Sequence, residues 1–160
     1  MQKVTVLCVG KLKERFYAEA AAEYAKRLSR YCKLEILELP EERLPEDPSP
    51  ALIDAALARE AAAVRGKLPA GAALVALCVE GEARSSEDLA RLMAEQAARG
   101  TGQLVFLIGG SFGLHPSLKA EARLKLSMSA MTFPHHLARV MLLEQIYRAY
   151  QINAGTKYHK

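Results

Sequence analysis

Four stretches of the chain combine residue types and spacings that could do chemistry. The first is Ile108-Gly109-Gly110-Ser111-Phe112-Gly113-Leu114-His115. Glycines straight after an apolar run let a backbone approach a ligand closely. The spacing is neither G-x-G-x-x-G nor G-x-x-x-x-G-K-[ST], so a phosphate-bearing cofactor has no support here. A plain tight turn is the simpler alternative. The second stretch is Ser127-Met128-Ser129-Ala130-Met131-Thr132-Phe133-Pro134-His135-His136. Small and hydroxylated residues lead into Pro134, which suits the first turn of a helix. Thr132 is placed to cap that helix, and free amides there could meet an adenine edge. His135 and His136 read as structural or surface residues rather than metal ligands.

The third stretch is a long helical pattern through Ile152. Leu137, Val140, Met141, Leu142, Leu143, Ile146, Tyr147 and Tyr150 cover most of its circumference. Glu144, Arg148 and Gln151 form its one clear polar stripe. Such a helix is either covered twice by its own chain or set in a subunit interface. Arg139 lies among the apolar faces and needs a partner there, either a carboxylate or an RNA phosphate. The fourth stretch is the tail, Lys157-Tyr158-His159-Lys160. A basic, aromatic tail can stack a base and neutralise phosphate, and a solvated, frayed end is the alternative.

The elements that must position these residues follow from periodicity. Strands are expected at Val4–Val9, Leu34–Leu39, Leu74–Val79, Leu104–Ile108 and Leu124–Ser129. Helices are expected over 14–31, 51–66, from Ser85 to Arg99, over 116–122, and from Pro134 to Ile152. Tyr17, Ala21, Tyr24, Leu28 and Tyr31 mark the inward stripe of the first helix. Ser85 reads as an N-cap, Gly66 as a helix stop, and Glu80-Gly81 as a turn. PEERLPEDPSP, over 40–50, is an acidic, proline-rich loop. Strands that alternate with helices define an α/β class with a mainly parallel sheet flanked by helices. Sites in such folds lie beyond the carboxyl ends of the strands, here after Val79, Ile108 and Ser129.

The 160 residues fit one domain, 1–160, with 51% hydrophobic and 25% charged residues excluding wholesale disorder. Charge is uneven: residues 1–33 carry a net +5, 34–134 a net −4, and 135–160 a net +3. Both ends are basic around an acidic middle, an asymmetry too small by itself to prove nucleic-acid binding. The cysteines Cys8, Cys32 and Cys78 are odd in number and widely spaced, so no disulfide framework is expected. Cys8 and Cys78 sit in apolar runs and read as buried thiols. No spacing suggests a metal site, a signal peptide or a membrane span. A cytoplasmic setting is the simplest expectation.

Four segments together resemble a known family: VGKLKERFYAEAAAEYAKRL, FLIGGSFGLH, LSMSAMTFPHHLARVMLLEQIYRAY and the closing YHK. They are similar to the RlmH type of SPOUT-class methyltransferase, which modifies N3 of a pseudouridine in large-subunit ribosomal RNA. The resemblance spans the whole chain. It implies a parallel α/β sheet with a C-terminal trefoil knot, a homodimer packed through the knotted region, S-adenosylmethionine as cofactor, and ribosomal RNA in the assembled ribosome as substrate. It also implies cofactor contacts at Leu77, at Gly109, and at Met128, Ser129, Ala130, Met131, Thr132 and Phe133. On this reading the tail meets the target base. His159 is the expected proton acceptor, Arg148 or Lys160 steadies the developing anion, and Tyr158 stacks on the base. Arg139, Lys157 and Lys160 are the expected RNA contacts. A tail that only clamps RNA, and a non-catalytic ribosome-binding protein of the same fold, are the alternatives.

Overall fold

The structure, a computed structural model, describes residues 1–100 and 102–160. Its elements run β1 (Lys3–Val9), α1 (Arg15–Leu28), β2 (Lys33–Leu39), α2 (Pro50–Arg65), β3 (Ala73–Ala83), α3 (Ser86–Ala98), β4 (Gln103–Ile108), α4 (Pro116–Glu121), β5 (Leu124–Ser127) and α5 (His135–Asn153). All strand pairs are parallel, in the order β2-β1-β4-β3-β5. The central strands β1 and β4 are buried on both faces, which is why their sequences are nearly continuous apolar runs. Alternate residues feed two cores. Val4, Val6, Phe106 and Ile108 pack with α1, α3 and α5. Leu7, Val9, Val105 and Leu107 pack with α2 and α4 on the opposite face.

Local chemistry sets several ends. Ser85 caps α3 by accepting from the Asp88 N–H at 3.0 Å, and Asp88 accepts from the Ser85 N–H at 3.1 Å. That reciprocal box satisfies two otherwise orphaned donors. Ser49 caps α2 with a single bond, accepting from the Leu52 N–H at 3.2 Å. Gly66 stops α2 in right-handed backbone, so its freedom at positive φ is not used.

Four expectations are corrected. Glu80-Gly81 is not a turn, because β3 continues through Ala83. Leu126 faces both Leu77 and Glu82, so the intervening residues bulge out of register. A Cβ at Gly81 would stand 2.6 Å from the Lys125 carbonyl oxygen, so only glycine lets β3 rejoin β5. Thr132 does not cap α5. Pro134 occupies that position with φ −54° and ψ 137°, and the helix has no side-chain cap. β5 ends at Ser127 rather than Ser129. Cys78 lies on the β3 bulge and is only half-buried, whereas Cys8 and Cys32 are buried.

The apolar circumference of α5 is explained mainly by its own chain. Leu142, Leu143, Ile146 and Ala149 are fully buried against the sheet and the flanking helices. Arg139 is 3% exposed and donates to Glu38 at 2.8 Å and to the Gly10 carbonyl at 3.2 Å. Of the two partners left open for it, the structure supplies the carboxylate. Partial burial works against the Glu38 anion, but the bonds from Arg139 and the Leu12 N–H outweigh it and hold its pKa below the usual carboxylate range. Glu38→Ala strands a buried guanidinium and is expected to cost about 2 kcal/mol at pH 7, after allowance for the partial exposure of Glu38. Because the folded pKa is depressed, this stabilisation is present above about pH 4.3 and fades as pH falls through the folded value. Urea unfolding of wild type and variant checks this: the gap should shrink at pH 3, and an unchanged gap contradicts it.

Candidate functional site

A cleft of about 680 Å³ opens at the carboxyl ends of β3, β4 and β5. That volume suits a small-molecule ligand. Its floor is the turn after β4. A Cβ at Gly109 would lie 2.5 Å from the Gly113 carbonyl oxygen, so the turn closes on its own backbone. Gly113 has φ +79° and donates its N–H to the Gly110 carbonyl at 3.0 Å. The loop after β5 forms a second wall. There the Ser127 hydroxyl donates to the Ser129 carbonyl at 3.0 Å, and the Ser129 hydroxyl accepts from the Met131 N–H at 3.0 Å. The β3 bulge supplies the third wall through Leu77, Cys78, Val79 and Glu80.

Leu77, Gly109, Met128, Ser129, Met131, Thr132 and Phe133 all border this cleft. Ala130, from the same loop, is not among its lining residues. Cys78, Glu80, Lys119 and His135 also line it and were not foreseen. Glu80 is ion-paired with Lys119 across the opening. Burial pushes the Cys78 thiol up and the His135 imidazole down from their ordinary pKa values. His136 turns away to Glu14 at 3.1 Å. No sequence spacing connects Glu80 to Lys119; the β3 bulge brings them together.

The tail forms a second cluster. Arg148 donates to Nδ1 of His159 at 3.1 Å. A guanidinium only donates, so Nδ1 is the unprotonated nitrogen, and Nε2 carries the proton it gives to Glu87 at 2.8 Å. Arg148 also makes two bonds to Oε1 of Glu144, at 2.7 and 3.0 Å, and that oxygen accepts from the Tyr158 hydroxyl at 3.1 Å. The Arg148 guanidinium lies 4.9 Å from the centre of the Tyr158 ring. Burial and the Glu144 charge push the Tyr158 hydroxyl pKa up. The tail is therefore folded back on α5 and α3 instead of frayed, while Lys157 and Lys160 stay exposed. Glu87 and Glu144 are the partners that the sequence reading missed, although Glu144 and Arg148 share a stripe at i,i+4 spacing.

Not every expected residue joins the two clusters. Arg139 is enclosed with Glu38, so the structure does not present it to RNA. A second cavity, about 430 Å³ and bordered by Ser85, Ser86, Met141 and Glu144, shares Leu126 and Met128 with the first. Glu144 of the tail cluster borders this second cavity, which meets the cleft at that shared wall.

The parallel sheet, with a ligand-sized cleft at its carboxyl edge walled by a glycine turn and the Met128–Phe133 loop, belongs to a chain whose sequence matches a family model over nearly its whole length. The chain belongs to the SPOUT methyltransferases: residues 2–159 match the model described as "Predicted SPOUT methyltransferase". It is 45% identical over 157 residues to the Ribosomal RNA large subunit methyltransferase H of Clostridioides difficile, covering 98% of this chain and 99% of that one. It is 47% identical over 158 residues to the protein of the same name from Bifidobacterium adolescentis, covering 99% of each. Its fold resembles the structure of a probable methylase family protein from Haemophilus influenzae, with a TM-score of 0.54 at 9% identity, over 98% of this chain and 70% of that one.

The docked tail generates a prediction. Glu87→Ala and Glu144→Ala each remove an anchor, so tryptic cleavage after Lys157 is expected to quicken several-fold with little change in global melting temperature. Unchanged cleavage rates in both variants would show that these carboxylates do not hold the tail.

Proposed function

We propose that this chain is a large-subunit ribosomal RNA methyltransferase that uses S-adenosylmethionine to methylate N3 of a pseudouridine. The observation that carries the reading is the three-walled cleft at the strand ends of a SPOUT-family chain. Its size suits a nucleoside-bearing ligand, its apolar wall of Leu77, Met128 and Phe133 suits a thioether and a flat base, and it has no phosphate loop. When bound, S-adenosylmethionine supplies an electrophilic methyl group on a sulfonium. The chain's own task is then orientation and water exclusion. The backbone at Gly109 and the Met128–Phe133 loop would hold the cofactor.

N3 of a pseudouridine carries a proton near neutral pH and must lose it as it reacts. In the proposed chemistry His159 Nδ1, the nitrogen already free of a proton, accepts it once Arg148 lets go. Arg148 or Lys160 then faces the developing anion, and Tyr158 stacks on the base. Exposed Lys157 and Lys160 meet RNA phosphate. The full-length similarity to proteins named as ribosomal RNA methyltransferases favours catalysis over a purely RNA-binding role. Radiolabelled methyl transfer to intact ribosomes, and separately to naked RNA, tests the reading. Deleting residues 157–160 should abolish transfer while cofactor binding survives; full activity in that deletion would sink the tail's role.

Gly109→Val should abolish S-adenosylmethionine binding in calorimetry. The reason differs from simple intrusion into ligand space, because the side chain would strike the Gly113 backbone and open the turn. Undiminished affinity would remove the site assignment. We also propose a homodimer packed on the outward side of α5. Met141 is half-buried there, whereas its neighbour Leu143 is fully buried in the chain's own core, so Met141 is a fair probe of that face. Met141→Asp should yield folded monomers by sedimentation. A wild-type chain that sediments as a monomer at micromolar concentration would end the dimer proposal.

A further inference from the structure

We infer that Glu41 is a positioning residue that holds the glycine turn of the cleft in its ligand-ready shape, an inference that rests on the cofactor reading above. Glu41 comes from the acidic loop between β2 and α2. Its Oε1 accepts the Ser111 N–H at 2.6 Å. The same carboxylate fills the space beside Gly110, where an added Cβ would lie 2.5 Å from Oε1 and 2.7 Å from Cδ. Its Oε2 lies 3.7 Å from the point where a Cβ on Gly10 would stand, and His135 Nε2 lies at the same distance from that point. One carboxylate thus sits among the end of β1, the turn after β4 and the start of α5.

Gly110, Ser111 and His135 border the cleft, whereas Glu41 does not. It supports the turn from behind and does not contact the cleft interior. Its own loop is anchored: the Glu42 N–H donates to buried Glu60 at 2.8 Å, and Glu42 pairs with Arg59 at 3.3 Å. Inside the turn the Gly110 carbonyl is taken by Gly113, so the bond to Glu41 ties the outer side of the turn to the rest of the fold. A charged acceptor on a backbone N–H makes a strong bond. A ligand held by backbone at this turn depends on the turn keeping one shape.

The test combines calorimetry with S-adenosylmethionine and amide hydrogen exchange across residues 109–113. Glu41→Ala should weaken binding about tenfold and speed exchange in the turn. Glu41→Gln, whose amide oxygen can accept the same bond, should restore most of both. Gly110→Ala should weaken binding by displacing the carboxylate, since Gly110 is not at positive φ and the three atoms nearest its Cβ position all belong to Glu41. In a Glu41→Ala background that cost should vanish, because the collision is gone. Additive losses, or wild-type affinity and exchange in Glu41→Ala, overturn the inference. A wild-type protein that does not bind S-adenosylmethionine would overturn the cofactor reading instead, and the exchange measurement would still decide the role of Glu41.

Discussion

The buried ion pair of Arg139 with Glu38 is the contact from which the site is built outward. It ties the first turns of α5 to the ends of β1 and β2 at once, through Glu38 and the Gly10 carbonyl. The same ends are linked by the Gly10 N–H, which donates to the Leu39 carbonyl at 2.7 Å. α5 begins with no side-chain cap, so its start has to be fixed from elsewhere. Within the five residues before Arg139, Pro134, His135 and Ala138 form an edge of the cleft. A guanidinium in this place costs desolvation, which a well-matched carboxylate offsets. What it confers is a fixed angle between α5 and the sheet.

The cleft itself is made by backbones that come close together more than by reactive side chains. Gly81 lets the β3 bulge rejoin β5, and Gly109 lets the turn after β4 fold onto Gly113. These contacts are backbone to backbone, so the walls change shape only if the chain path changes. That suits chemistry in which the donor is already reactive and the protein's contribution is alignment. The charged groups are held in partnerships: the tail cluster joins His159, Arg148, Glu144 and Glu87, and in the cleft, which also carries Cys78 and His135, Glu80 pairs with Lys119.

Much of this was readable from residue order, for physical reasons. VTVLCV and LVFLI announce doubly covered strands because both faces of a parallel sheet are dry. Ser85 with Asp88 announces a helix start because the reciprocal bonds need that spacing. The strand-end loops were readable because chain ends at a parallel sheet converge on one edge. The β3 bulge was not readable, since Glu80-Gly81 has turn composition and the need for glycine comes from Lys125, on another strand. Glu41 was hidden for a similar reason: its partner Ser111 is distant in sequence, and its loop has the composition of solvated chain. Arg139 was correctly seen to need a partner, but periodicity on one helix cannot say whether that partner lies inside or outside the molecule.

The place of β1 in the sheet has a consequence for how the chain folds. β1 pairs on one side with β2, which is made soon after it, and on the other with β4, where Val4 lies beside Leu104. The two ends are stitched as well, since the Tyr150 hydroxyl donates to the Gln2 side chain across 148 positions. During synthesis β1 and β2 can meet early, but the other edge of β1 stays open until β4 arrives. An open, apolar edge invites pairing with other chains, and such non-local closure is slow. Until β4 docks, that edge of β1 is therefore open to pairing with other chains, and a chaperone that shields it would act at that stage.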